Sequence, residues 1–167
     1  MTETVKVIIP AYNEAKSIGK VIKALPSFVN EIIVVDNCST DETAINAQKL
    51  EATVLKEIKS GYGNACLKGV NYINEQKTRT DIVVFIDGDY SDYPEELTKI
   101  IAPIIEKDID FVIGARVKNL RAKGSMQPQQ IFGNWLATFL MRVFFKSRFT
   151  DLGPFRAIKH DVLQSLK

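Results

Sequence analysis

The sequence predicts a doubly wound α/β fold, a mostly parallel sheet with helices on both faces. Three observations carry that expectation. Short apolar runs alternate with helical patterns along the whole chain. The runs are rich in β-branched residues without polar interruption, as strands buried on both faces must be. Polar and glycine residues gather where the runs end, the side on which open α/β sheets bind ligands.

In chain order, "VKVII" (Val5–Ile9) reads as the first strand. Ile18, Val21, Ile22 and Leu25 then fall at i, i+3, i+4 and i+7, the stripe of a helix lying on a sheet. "IIVVD" (Ile32–Asp36) is a second buried strand. Ser39 with Glu42 three residues on has the form of a capping box and predicts a helix to about Leu50. "TVL" (Thr53–Leu55) is a short strand, and Gly61 to about Asn74 a helix with Ala65, Cys66, Val70 and Ile73 inward. "DIVVFID" follows as a strand. Pro94 opens the next helix as a first-turn residue, with Leu97, Ile100, Ile101, Ile104 and Ile105 inward and Glu95 and Glu96 complementing its dipole. "DFVIGA" is a further strand, and "HDVLQSLK" reads as a helix in which the sequence stops, an expectation of further C-terminal structure. At 167 residues, 1–167 is expected to be a single domain.

Bulk properties narrow the partners. A net charge of +2 gives no argument for nucleic acid. The charge is uneven, however: nine Lys or Arg against the single acid Asp151 lie between Arg116 and Lys159, a candidate surface for anions. Cys38 and Cys66 lack metal-ligand spacing and are expected as free thiols in a reducing compartment. "MTETVKVIIP" lacks the features of a signal peptide, and no segment offers the about 18 apolar residues of a membrane span. The expected location is cytoplasmic, with contact at a membrane face open.

The strand ends carry "PAYNE", "DNCSTD", "KSGYG", "DGD" and "GAR", which implies one crevice. Asp87 and Asp89, one glycine apart at the end of a buried strand, would repel if left unneutralised. A divalent cation resolves this, and hard oxygen ligands suit Mg²⁺ or Mn²⁺ with positions left for substrate phosphates. The alternative is a turn of solvated aspartates. Asp36 ends the second strand where an acid can take ribose hydroxyls, while Asn37, Ser39 and Asp41 suit capping. The glycines of "SGYG" allow close backbone approach, and the helix that follows favours anions, although the spacing makes a poor dinucleotide fingerprint. His160 has no paired nucleophile, so a Ser-His-Asp or Cys-His enzyme is not expected. "IFGNWLATFLMRVFF" (131–145) reads as a helix with a broad apolar stripe: a core helix, or one whose edge meets a lipid.

Together, "VIIPAYNEAKSIGKVI", "EIIVVDNCSTDET", "DGD" and "DFVIGAR" resemble the family 2 glycosyltransferases, whose catalytic domain has the GT-A fold. With "PEEL" after the acid pair and "TDLGPFRAI" near the end, the chain is most similar to the dolichyl- or polyprenyl-phosphate mannose and glucose synthases. That resemblance implies inverting transfer from a UDP- or GDP-sugar to a polyprenyl phosphate. It implies nucleotide-sugar contacts by Pro10, Ala11, Tyr12, Glu14 and Asp36, joined at the strand ends by Lys59, Gly63 and Gly88. Asp87 and Asp89 would bind the diphosphate through the metal, and Arg116 would meet a phosphate of donor or acceptor. Arg116, Arg121 and Arg156 are the candidate acceptor residues. A lipid phosphate is already anionic and needs no general base; a sugar hydroxyl would need one, with Asp92 or Asp151 as candidates. Ser91, "GPF" and "QPQQ" depart from the pattern and leave the sugar open. A sugar-nucleotide pyrophosphorylase would want a glycine-rich basic loop after the first strand, where "PAYNEAKS" stands. A non-catalytic nucleotide-sugar-binding module is the alternative from another class.

Overall fold

The computed structural model describes residues 3–114 and 153–166. The chain divides into two units, Met1–Val112 with Phe155–Lys167, and Ile113–Pro154; the account below is of the first. In chain order the described elements are β1 (Val5–Ala11), α1 (Ile18–Ala24), β2 (Glu31–Asp36), α2 (Thr43–Gln48), β3 (Thr53–Lys56), α3 (Tyr62–Glu75) and β4 (Ile82–Phe85). A 3-10 turn (Pro94–Glu96) then runs directly into α4 (Leu97–Lys107), before β5 (Phe111–Ile113), β6 (Arg156–Lys159) and α5 (His160–Ser165).

The sheet has the order β3-β2-β1-β4-β6-β5. β1 pairs in parallel with β2 and with β4, and β2 in parallel with β3. β6 runs antiparallel to β4, with Phe85 opposite Arg156 and Ile82 opposite Lys159. The mostly parallel α/β sheet expected from the sequence is therefore present.

Alternate residues of each strand feed two separate cores. Val5, Val7 and Ile9 join Val84 of β4 against Ile18 and Val21 of α1, Ala47 of α2 and Leu97 and Ile101 of α4. Ile8, Ile33, Val35 and Val83 face the other way onto Ala65 and Ile73 of α3, with Val162 and Leu163 of α5 beside them. Both faces are covered, which is why the strands read as unbroken apolar runs. Burying a side chain such as Ile8 fully contributes about 1.5–3 kcal/mol. Gly69 lets α3 lie close on β1: a Cβ there would stand 2.7 Å from Ile8 Cγ2.

Several local expectations change. β1 runs to Ala11 instead of stopping at Ile9. α1 ends at Ala24 because Leu25, though buried, is extended at φ −66°, ψ 137°, the conformation that the following Pro26 imposes. The capping box does not form. The Ser39 hydroxyl accepts the Asn13 N–H instead, and α2 begins at Thr43 and ends at Gln48. Asp41 orders that turn, its Oδ1 accepting the Thr43 N–H (3.0 Å) and hydroxyl. In α4, Leu97, Ile101 and Ile104 are buried, with Ile100 and Ile105 packed partly against the same core.

Candidate active site

β1 lies between β2 and β4, so the chain winds outward through β2 and β3 and then returns to the other side of β1. The ends of β1 and β4 are therefore the switch point, where open α/β sheets form a ligand crevice. The last paired residues there are Ile8 and Phe85. Ile8 C=O accepts the Ile86 N–H, so Pro10, two residues on, faces the same side where β4 has already ended. A proline is tolerated at that point because no ladder bond to β4 is lost.

A cleft of about 340 Å³ opens at this position. Pro10, Ala11, Tyr12 and Glu14 form one wall and Asp87, Gly88 and Asp89 another. Asn37 and the run Ser60–Tyr62, with Ala65, close the third. The carboxylate pair thus faces the end of "PAYNE" across a single cavity. Tyr12 is 60% exposed and presents its ring at the rim.

Most predicted donor residues meet here, and three do not line the cleft. Asp36 is buried, with Oδ1 accepting the Ser39 N–H at 3.2 Å, and Asn37 is the residue of that strand end that reaches the cavity. Lys59 and Gly63 stand in the segment that supplies Ser60, Gly61 and Tyr62. Gly61 belongs to the "SGYG" run already marked for close backbone approach, whereas the sequence reading did not single out Asn37, Ser60, Tyr62 or Ala65 as cleft residues; Asn37 and Ser60 lie in strand-end loops, and Tyr62 and Ala65 in the first turns of α3. Arg116, Arg121, Asp151 and the stretch 131–145, for which the sequence predicts a helix, lie outside the described residues. Asp92 does not line the cleft. His160 sits at the opposite end of the strands, where its backbone N–H donates to Asp81 C=O and its Nε2 lies 2.8 Å from Asn74 Oδ1.

The electrostatics of the cleft floor involve Asp87, Tyr62, Cys66 and Arg156. Asp87 is half-buried and Asp89 exposed, with Asp89 Oδ1 accepting the Ser91 N–H at 2.8 Å. Desolvation and then the Asp87 charge push the Tyr62 phenol well above its ordinary range, so it remains a protonated donor. Desolvation also raises the Cys66 thiol, which keeps it a thiol rather than a nucleophile. Both cysteines are free. Arg156, opposite Phe85 on β6, acts on both groups with its positive charge, so antiparallel β6 delivers a guanidinium to the end of β4.

The residues present fit a divalent cation. Asp87 and Asp89 offer hard carboxylate oxygens on one wall of a cleft open to substrate. Among the described residues no cluster of three or more His, Cys, Asp or Glu is assembled, so an ion held by this pair would need its remaining ligands from elsewhere.

The loops beyond β1 and β2 are zipped together by side chains. Asn13 Oδ1 accepts the Thr40 N–H (2.8 Å), Thr43 Oγ1 accepts the Glu14 N–H (2.7 Å) and Asp41 Oδ2 accepts the Ala15 N–H (3.1 Å). Glu14 Oε2 in turn accepts the Ser17 hydroxyl at 2.6 Å. These bonds fix the wall that carries Tyr12 and Glu14 without help from regular structure.

Sheet, switch point and cleft define a doubly wound protein with a candidate ligand site at the carboxyl ends of its strands. Residues 6–167 match the model of glycosyl transferase family 2, and the chain belongs to that family. It is 30% identical over 152 residues to the UDP-N-acetylglucosamine–dolichyl-phosphate N-acetylglucosaminyltransferase of Methanococcus voltae, covering 80% of this chain and 60% of that protein. An uncharacterised glycosyltransferase of Mycobacterium tuberculosis is 31% identical over 166 residues, 98% of this chain and 71% of its own length. Among solved structures, glucosyl-3-phosphoglycerate synthase from Mycobacterium tuberculosis, in complex with Mn²⁺, UDP and glucosyl-3-phosphoglycerate, superposes with a TM-score of 0.77 at 25% identity. That match covers 99% of this chain and 60% of the synthase. The chain spans about three fifths of the length of several of these relatives. GT-A glycosyltransferases are thus its structural neighbours.

Proposed function

We propose that the protein is an inverting, metal-dependent glycosyltransferase that moves a sugar from a UDP- or GDP-sugar to a polyprenyl phosphate. The observation that carries this reading is the cleft at the β1/β4 switch point, with Asp87 and Asp89 facing Pro10–Tyr12. Support comes from the relatives: the synthase above binds Mn²⁺ and UDP, and the Methanococcus voltae enzyme is named for dolichyl phosphate.

In this reading the chain's own groups divide the work by charge. Asp87 and Asp89 would hold Mg²⁺ or Mn²⁺, which when bound neutralises charge growing on the departing diphosphate. The Ser91 N–H orients Asp89. Tyr12 offers an aromatic face, and Ser60–Tyr62 offer backbone and the start of α3. Arg156 adds positive charge near Tyr62 and Cys66 and is proposed, with Arg116 and Arg121, for the acceptor phosphate. An anionic lipid phosphate attacks without a base. Among the described residues no helix is long and apolar enough to cross a membrane.

Thermal unfolding with a panel of nucleotide-sugars and Mn²⁺ tests the donor site. UDP- or GDP-sugars are expected to raise Tm, and Asp89→Ala to abolish the rise. No shift with any donor would sink the reading. Turnover with polyprenyl phosphate, compared with hydroxyl acceptors, tests the acceptor.

A further inference from the structure

We propose that Asn37 is a positioning residue for the donor, its carboxamide clamping the segment from Glu57 to Gly61 into the wall of the cleft. This rests on the donor reading above and assigns a role to a side chain that the strand-end pattern places only in a turn.

Residues 57–61 lie between β3 and α3 and belong to neither. Ile58 is 78% exposed, so no apolar anchor holds the segment down. The hold is polar. Asn37 Nδ2 donates to Glu57 C=O at 3.0 Å and to Lys59 C=O at 2.7 Å. Asn37 Oδ1 accepts the Gly61 N–H at 2.8 Å. Both amide hydrogens and the carbonyl of the side chain are thereby engaged, in a residue only 6% exposed. Cys38 adds a weaker tie, its Sγ 3.3 Å from Ile58 C=O. The Glu57 N–H also reaches Asp36 C=O at 2.9 Å. The clamp closes at Gly61, whose φ of +125° no side-chain-bearing residue adopts without strain. Directly beyond it, Tyr62 starts α3.

The chemistry requires an amide. Aspartate has the same shape and could still accept from Gly61, but it has no hydrogens for Glu57 and Lys59 and would set a negative charge against two carbonyl oxygens. With its groups committed to the chain, Asn37 acts on a nucleotide through Ser60, Gly61 and Tyr62.

The test is calorimetric titration of UDP and of GDP, each with Mn²⁺, into wild type, Asn37→Ala and Asn37→Asp, with amide hydrogen exchange of the unliganded proteins. The nucleotide that binds wild type should bind Asn37→Asp about tenfold more weakly or worse. In Asn37→Ala the Gly61 amide should exchange faster, while the Val34 amide of the core keeps its wild-type rate. Should the alanine variant not fold, the aspartate variant decides. Wild-type affinity in Asn37→Asp overturns the clamp, as does unchanged Gly61 exchange in a folded Asn37→Ala. Failure of wild type itself to bind either nucleotide overturns the donor reading and this inference with it, an outcome distinct from the other two.

Discussion

Gly69→Ala puts a methyl where α3 crosses β1. The added carbon would lie 2.7 Å from Ile8 Cγ2 and 3.1 Å from Ile8 Cγ1 and Cδ1. Cγ2 sits on a β-branched carbon, so it cannot swing aside as the tip of a long chain could. Ile8 is fully buried, with no space to retreat into. Overpacking of this kind costs about 1–3 kcal/mol. Against it stands the gain from replacing a mid-helix glycine by alanine, about 0.8–1 kcal/mol. The balance is a net destabilisation of about 1 kcal/mol, with packing outweighing propensity. Urea unfolding followed by far-UV circular dichroism should show a lower midpoint with an unchanged slope. Ile8→Ala alone leaves a cavity costing about 2–5 kcal/mol. In the double variant the new methyl enters that cavity, so the combined loss should be smaller than the sum of the two. Because Ala65 lies one turn before Gly69 on α3 and lines the cleft, Gly69→Ala should also weaken nucleotide binding. A Gly69→Ala protein as stable as wild type, or more so, refutes the close-approach argument.

Two further perturbations probe charge. Lys6 is 3% exposed, and its ammonium meets Glu31 Oε2 at 3.0 Å, Thr78 Oγ1 at 3.0 Å and the Gln76 carbonyl. Glu31→Ala leaves that ammonium buried without its counter-charge and should cost about 3–5 kcal/mol by denaturant titration. Burial works to raise the Glu31 pKa, but bonds from Lys6, Gln76 and Tyr72 together outweigh it and hold the carboxyl below its ordinary value. The stabilisation from Glu31 is therefore full above the ordinary glutamate pKa and lost as pH falls through the lowered one. Unfolding curves between neutral pH and pH 3 should show this loss in wild type and its absence in Glu31→Gln. Asp41 is likewise lowered, first by the Thr43 hydroxyl and then by the Ala15 and Thr43 N–H groups. Thr43→Val should move the Asp41 carboxyl signal in an NMR titration upward, toward the ordinary aspartate range; an unmoved midpoint would show that the hydroxyl is not its chief partner.

Fold class was legible because the same residues serve two readings. The β-branched runs that mark buried strands are the residues that fill both cores, and the helix stripes at Ile18–Leu25 and Leu97–Ile105 face them. Carboxylates at a strand end were legible for the same reason, since the end of an apolar run fixes where Asp87 and Asp89 emerge. What could not be read was choice among polar partners. Ser39 and Glu42 fit a capping box, yet Ser39 bonds to Asn13, 26 residues away in sequence. Asp36 and Asn37 are adjacent and both polar. Only the alternation of the strand and the position of the next loop decide that Asn37 turns to the cleft. The need for glycine at position 69 was not legible because its reason, Ile8, lies on another element.

The three strand ends around the cleft share a backbone feature that ties these observations together. Asn13 (φ 56°), Cys38 (φ 68°) and Tyr90 (φ 62°) are all left-handed and none is glycine. They follow β1, β2 and β4, the strands that bound the crevice. Each such residue costs about 1–2 kcal/mol relative to an ordinary conformation, so the turns persist only where other contacts over-determine them. For Asn13 those contacts are the Ser39 hydroxyl and the Thr40 N–H, and beside Cys38 they are the Asn37 bonds to residues 57–61. The Asp89 bond to the Ser91 N–H spans Tyr90 in the same way. Strain and bracing therefore coincide on the face of the sheet where the donor is proposed to bind. Left-handed non-glycine residues also stand after α2 (Glu51, φ 62°) and at the end of α4 (Asp108, φ 55°), so the conformation alone does not mark a site; at the cleft it is the bonds just described that fix the turns a nucleotide would meet.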